Sequence, residues 1–216
     1  MPDIYVHHRL AAEPRQWKAV ADALRDAGPA RLAAQRGALY GVWRSQIGRP
    51  RDELTVLTAW PDADAAAGAE RTLLQGVSGV RGCESEAMTP TLRPATPAPP
   101  RRQGNYAFRW FETPAVHWQE FLDLCAGAWP GFEAAYDSQV IGLWHCIADD
   151  GAARRSLLLT RRPDLAMWER SKIPAGAEEA EVRRKLSRRY DLCDWTVVYT
   201  TTLLTADDRE DTARWT

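Results

Sequence analysis

In this chain the residues able to do chemistry are few, and most stand alone. His7 and His8 are adjacent, and neighbours on a strand point to opposite faces, so the pair cannot ligate one ion together. His8 has two readings: a structural imidazole, or a cavity-facing one that serves as base, acid or haem ligand. His145, in GLWHC beside Trp144, is either solvent-facing or a second place for a haem ligand, and His117 falls off the apolar stripe of its helix and reads as surface. Cys83, Cys125, Cys146 and Cys193 form no CxxC pair and no zinc-like spacing, so free thiols are expected. No HExxH, facial-triad, nucleophile-elbow, phosphate-loop or dinucleotide pattern occurs. GVSGVRGC lacks the strand-then-helix setting of a phosphate site. No metal site and no resident cofactor are expected, with haem as the exception to be tested.

Arg109 carries more information. An arginine on a sheet face bounded by Phe111 is costly to bury unless it is paired, and in an enclosed cavity it would anchor a carboxylate or enolate. Glu84 and Glu86 alternate onto one face of a strand and could pair with it, or form plain salt bridges. Tryptophan is over-used, with ten in the chain, and Trp43 and Trp144 occupy equivalent places where they either pack or stack on a ligand.

The elements that must position these residues come in two copies. A shift of 101 residues places Tyr5 on Tyr106, Trp17 on Trp118, Pro29 on Pro130, Gly41 on Gly142 and Trp43 on Trp144, without a gap. One residue of slip then puts Thr58, Pro61 and Asp62 on Thr160, Pro163 and Asp164. The first copy covers residues 3–92 and the second 105–204, with a proline-rich extended linker over 93–104 and a polar tail over 205–216 that is expected to fray. Each copy reads β-α-β-β-α-β. Trp17, Val20, Ala21 and Leu24 make an apolar stripe at helical spacing, echoed by Trp118, Phe121, Leu122 and Cys125. Thr113 is a candidate N-cap of the second copy's first helix, and Asp62 and Asp164 are candidate caps of second helices.

That order gives an antiparallel sheet with both helices on one face. The other face then needs a covering partner, and the second copy is the simplest one. The expected fold class is therefore α+β: two tandem ferredoxin-like units packed sheet to sheet as an intramolecular dimeric α+β barrel with a cavity between the sheets. Along the first strands, Tyr106, Phe108 and Trp110 share an aromatic face that suits packing beneath helices. Ala107, Arg109 and Phe111 are left for the cavity side, and the repeat carries His8 with them.

The segment GALYGVWRSQIGRPRDELTVLTAWPDADA resembles the strand–turn–strand core of the NIPSNAP family, and CESEAMTPTLRP resembles that family's last strand. The resemblance implies the ferredoxin-like barrel and does not imply a settled reaction. The family's first strand commonly alternates Glu and Arg, pointing away from the helices. Here Val6 and Ala107 stand at the Glu places and His8 and Arg109 at the Arg places.

A net charge of −1 gives no reason to expect nucleic acid or an anionic membrane, and no apolar run approaches a transmembrane span. A cytoplasmic monomer or homo-oligomer is the default expectation. The leading functional expectation is a cavity protein that binds, and acts on, a small apolar or aromatic molecule bearing an anionic group, as a cofactor-free oxygenase, isomerase or cyclase does. Its site would use His8 and Arg109, with Trp43, Trp144, Glu84, Glu86, Phe111 and His145 around the ligand. A non-catalytic scaffold protein and a haem-binding barrel are the alternatives.

Overall fold

The computed structural model describes residues 2–148 and 151–208. Its class is α+β, with eight strands whose hydrogen bonds run in the order β1-β3-β2-β8-β5-β7-β6-β4 and return to β1. The chain divides into two compact units, each built from more than one stretch of the chain. The first holds residues 2–90, 96–103 and 199–208; the second holds Thr91–Ala95 and Gly104–Val198.

In the first unit β1 (Ile4–Ala12) lies antiparallel to β3 (Glu53–Trp60) and to β4 (Val80–Arg93). Strand β2 (Ala38–Ile47) pairs with β3 on one side and with β8 (Trp195–Leu203) on the other, Trp43 opposite Leu203. Helix α1 (Trp17–Ala33) buries the expected stripe of Trp17, Val20, Ala21 and Leu24 against Val6, Leu10, Val42, Leu54 and Val56. Arg44 lies flat on the Trp17 ring at 3.8 Å, a cation–π contact that covers the indole. Two short helices, α2 (Ala63–Ala66) and α3 (Ala69–Leu74), replace a single second helix.

In the second unit β5 (Asn105–Pro114) and β6 (Gln139–Cys146) flank β7 (Ala153–Arg162). The start of β8 joins through Thr196, whose Oγ1 donates to the Trp110 carbonyl at 2.8 Å. The end of β4 joins through Thr91 Oγ1, which donates to the Leu143 carbonyl, and through Arg93, which forks onto both Glu133 oxygens at 2.6 and 3.0 Å. Helix α4 (Trp118–Tyr136) covers the sheet, with α5 (Leu165–Arg170) and α6 (Ala177–Asp191) beside it. Gly131 sets how closely α6 approaches, since a Cβ there would sit 2.7 Å from Val182.

Asp62 and Asp164 cap as expected, accepting from Ala65 N at 2.8 Å and Met167 N at 2.7 Å. Thr113 does not cap. It lies within β5, fully buried, with its hydroxyl 3.4 Å from Cys193 Sγ, and a short 3-10 turn over Ala115–His117 leads into α4 instead. All four cysteines are free. Of the tail, residues 205–208 are held: Asp207 N donates to Arg101 O, and Asp208 accepts from Gln103 N at 2.7 Å. Residues 209–216 lie outside the described part. No described helix is long and apolar enough to cross a membrane.

Candidate functional site

The helix-facing side of the second unit's sheet is where the side chains fail to fill the space. Ala107, Arg109 and Phe111 alternate along β5, and Leu158, Thr160 and Arg162 along β7; the register sets Ala107 opposite Thr160 and Arg109 opposite Leu158. Between this floor and the helices lies a pocket of about 460 Å³. Trp129 and Phe132 of α4, Trp168 just after the Asp164 cap, and Arg183, Arg189 and Tyr190 of α6 form its roof and walls.

Four of these residues are arginines, and Asp191 is the single carboxylate in the lining. The Arg109 side chain makes no hydrogen bond or ion pair with a described residue. Burial, then the charges of Arg189 and Arg183, pull its pKa down to about 10. Arg162 is also drawn down to about 10, by burial and then by Arg109 and Arg189. Its Nη1 donates to Thr160 Oγ1 at 3.1 Å, its plane lies 4.5 Å over Trp168 and 5.1 Å over Phe132, and its Nε is buried without a partner. Arg189 is almost fully buried over Phe111 at 4.9 Å; its Nη1 reaches Cys125 Sγ at 3.6 Å and its Nε is likewise unsatisfied. At neutral pH Arg109 and Arg162 remain cations, each raising the cost of the other. The cleft is therefore a partly desolvated cationic one with aromatic walls, a setting that favours a flat anion.

The first unit fills the same place. His8 stands where Arg109 does and Trp60 where Arg162 does, and both are fully buried. A directed hydrogen-bond chain joins them. Trp60 Nε1 donates to Thr58 Oγ1 at 2.8 Å, and Thr58 Oγ1 lies 3.0 Å from His8 Nε2. His8 Nδ1 lies 2.9 Å from Ser85 Oγ, which donates to Glu70 Oε2 at 2.6 Å. With Ser85 committed to the carboxylate, His8 donates from Nδ1, and in the neutral ring Nε2 accepts from the Thr58 hydroxyl. Burial favours that neutral form, pushing its pKa down to about 3. This histidine is a satisfied core group with no surface to offer a ligand.

Hence the expected face assignment is reversed. His8, Arg109 and Phe111 lie beneath the helices, and His7, Tyr106 and Phe108 lie on the other side. Alternation fixes which residues share a face and leaves open which face the helices take. His7 Nε2 lies 3.0 Å from the Tyr199 hydroxyl, and burial, followed by competition with the adjacent His8 for a proton and by the Arg49 and Arg9 charges, lowers its pKa to about 3. Glu84 is an exposed partner of Arg9 at 2.8 Å, and Glu86 stands opposite His7 in the β1–β4 register, so both belong to the His7 face. Trp43 and Trp144 are fully buried on that same side of their sheets, each ring lying over a glycine, Gly41 or Gly142, where any Cβ would collide with it. His145 is half-buried, its ring 6.2 Å from that of Trp118. Of the residues expected at the site, Arg109 and Phe111 line the pocket. Arg162, Arg183, Arg189, Trp129 and Trp168 complete it without having been singled out from sequence. One signal for them was present: Val182, Leu186 and Arg189 recur at i, i+4 and i+7 along α6, with a cation where an apolar residue belongs.

No family model matches the chain, and no curated protein does. Solved structures do, along almost the whole length. A candidate monooxygenase from Lactobacillus acidophilus aligns over 95% of this chain and 98% of its own, with 10% identity and a TM-score of 0.60. An anthrone oxidase-like protein aligns over 94% and 92%, with 13% identity and a TM-score of 0.56. A haem-binding protein from Thermus thermophilus aligns over 94% and 92%, with 12% identity and a TM-score of 0.51. At such identities the likeness is one of fold.

The pocket residues do not fit a histidine-ligated haem. No imidazole lines it, both ring nitrogens of His8 are engaged, and no group of three metal-binding side chains occurs among the described residues.

Proposed function

We propose that this chain is a NIPSNAP-like α+β barrel protein that takes one small, largely apolar molecule into the sheet–helix pocket of its second unit. The carrying observation is the contrast between equivalent places. Thr58, Trp60 and His8 fill the first unit with a closed, neutral hydrogen-bond chain, whereas Thr160, Arg162 and Arg109 border open space. A volume of about 460 Å³ within aromatic walls suits a small organic ligand. Binding is better supported than turnover. An oxygenase, isomerase or cyclase step, to which the descriptions of the fold neighbours lend some weight, would need a proton acceptor, and Asp191 and Tyr190 are the groups in the lining that could serve.

A panel of two- and three-ring aromatic compounds, neutral and acidic, tests this by thermal shift. The wild type should be stabilised by members of the panel, and Ala107→Trp, which fills the floor, should abolish the shift. His8→Gln should leave it in place. A panel that stabilises nothing, or an Ala107→Trp protein that responds like wild type, overturns the reading.

A further inference from the structure

The pocket's charge specifies its ligand more narrowly than its size does. We infer, resting on the reading above, that the second unit binds an aromatic acid, its anionic head among Arg109, Arg162 and Arg189 and its ring system against Trp129, Phe132 and Trp168, at one site per chain.

Three observations carry this. The first is an excess of cations: four arginines meet one carboxylate in the lining, and Arg109 finds no partner among the described residues. Removing a guanidinium from water without an anion is expensive, and bringing several together compounds the cost, so the ligand-free pocket holds an unmet demand for negative charge. The second is that Arg162 Nε and Arg189 Nε are buried donors with nothing to donate to. These cations are thus poorly compensated where they stand, and a planar carboxylate offsets their charge and accepts from guanidinium N–H groups in parallel, whereas a neutral ligand of the same shape leaves the charge unmet. The third is that two of the cations already lie on rings, Arg162 on Trp168 and Phe132, Arg189 on Phe111. Those contacts hold the guanidinium planes in place before the ligand arrives, and the remaining aromatic surface of Trp129 is left to take a flat body. One site per chain follows from the first unit, where His8 and Trp60, replacing the two arginines, leave neither cation nor space.

Calorimetric titration of the whole chain with 2-naphthoate and with the isosteric neutral 2-naphthamide decides the matter. Naphthoate should bind with a stoichiometry of one and at least ten-fold more tightly than naphthamide. Arg109→Gln and Arg162→Gln, each checked for folding by circular dichroism, should weaken naphthoate about ten-fold or more while moving naphthamide little, and Arg109→Lys should recover part of the loss. Equal affinity for the two probes, both blocked by Ala107→Trp, overturns the acid and leaves the pocket standing. A stoichiometry of two overturns the single site. Failure of both probes to bind, or binding that survives Ala107→Trp, overturns the pocket itself.

Discussion

At the scale of single residues, the two histidines of β1 show how burial sets chemistry. Adjacent imidazoles on opposite faces of one strand are both drawn to a pKa of about 3, His8 by burial and His7 by burial plus neighbouring cations. The sign of the consequence is fixed. In the unfolded chain each titrates near 6.5, so as pH falls from there toward 3 the unfolded state takes up protons that the folded state refuses. Stability from this source is complete above about pH 6.5 and is lost through that window, by up to about 1.4 kcal/mol per pH unit for each histidine. Urea midpoints at pH 7 and pH 4.5 should therefore fall less in His8→Gln than in wild type, since the glutamine keeps a donor and an acceptor without titrating. Identical pH slopes for the two proteins would show that His8 is not held neutral by the fold. The same buried chain explains why His8 was a misleading candidate. Its neighbours Thr58, Ser85 and Glu70 are remote in sequence, and nothing in the sequence signals that a strand-borne histidine has both nitrogens taken.

At the scale of elements, the matched tryptophans of α1 and α4 are not equivalent. Trp17 is 6% exposed within the first unit's core and covered by Arg44, whereas Trp118 is half-buried, stacked on Phe121 at 5.3 Å at the edge of its helix. Trp17→Ala should cost about 3–5 kcal/mol, as large aromatic deletions in cores do, and Trp118→Ala distinctly less, both read from chemical denaturation. Equal losses would mean that the α4 stripe runs deeper than the structure has it. The helices, the strands and the Asp62 and Asp164 caps were legible because periodicity and capping chemistry are local. The helix-facing side of each sheet was not. Tyr106, Phe108 and Trp110 look like a floor for helices, but Ala107 and Phe111 take that place, and Tyr106 and Phe108 are fully buried on the opposite side. An all-aromatic face and a mixed face can each be buried, and the choice rests on which loops bring the helices back. The pocket was hidden for the same reason: arginines from β5, β7 and α6 converge only once that side is known.

At the scale of the molecule, the two units share an element order but differ at matching places, one filled by hydrogen-bonded neutral groups and one left open and cationic. The strand ends do not follow chain order within the two units. The first unit includes the last residues of β8, which give β2 its second partner: Arg44 pairs with Thr202 and Ser45 with Thr201. Tyr199 adds a buried side chain whose hydroxyl meets His7 at 3.0 Å and Thr55 at 3.3 Å, beneath Arg49 at 4.9 Å. A chain ended after Val198 would strip β2 of that ladder and remove the phenol that meets His7 and Thr55. Its exposed strand edge would also invite pairing between chains. The truncated protein should accordingly show dye-accessible apolar surface, a lowered denaturation midpoint and concentration-dependent association. Tyr199→Phe in the full-length chain, which keeps the ladder and loses only the hydroxyl, should cost about 1–3 kcal/mol and remain unassociated. A truncated chain as stable as the full one would mean that the first unit is complete without the end of β8.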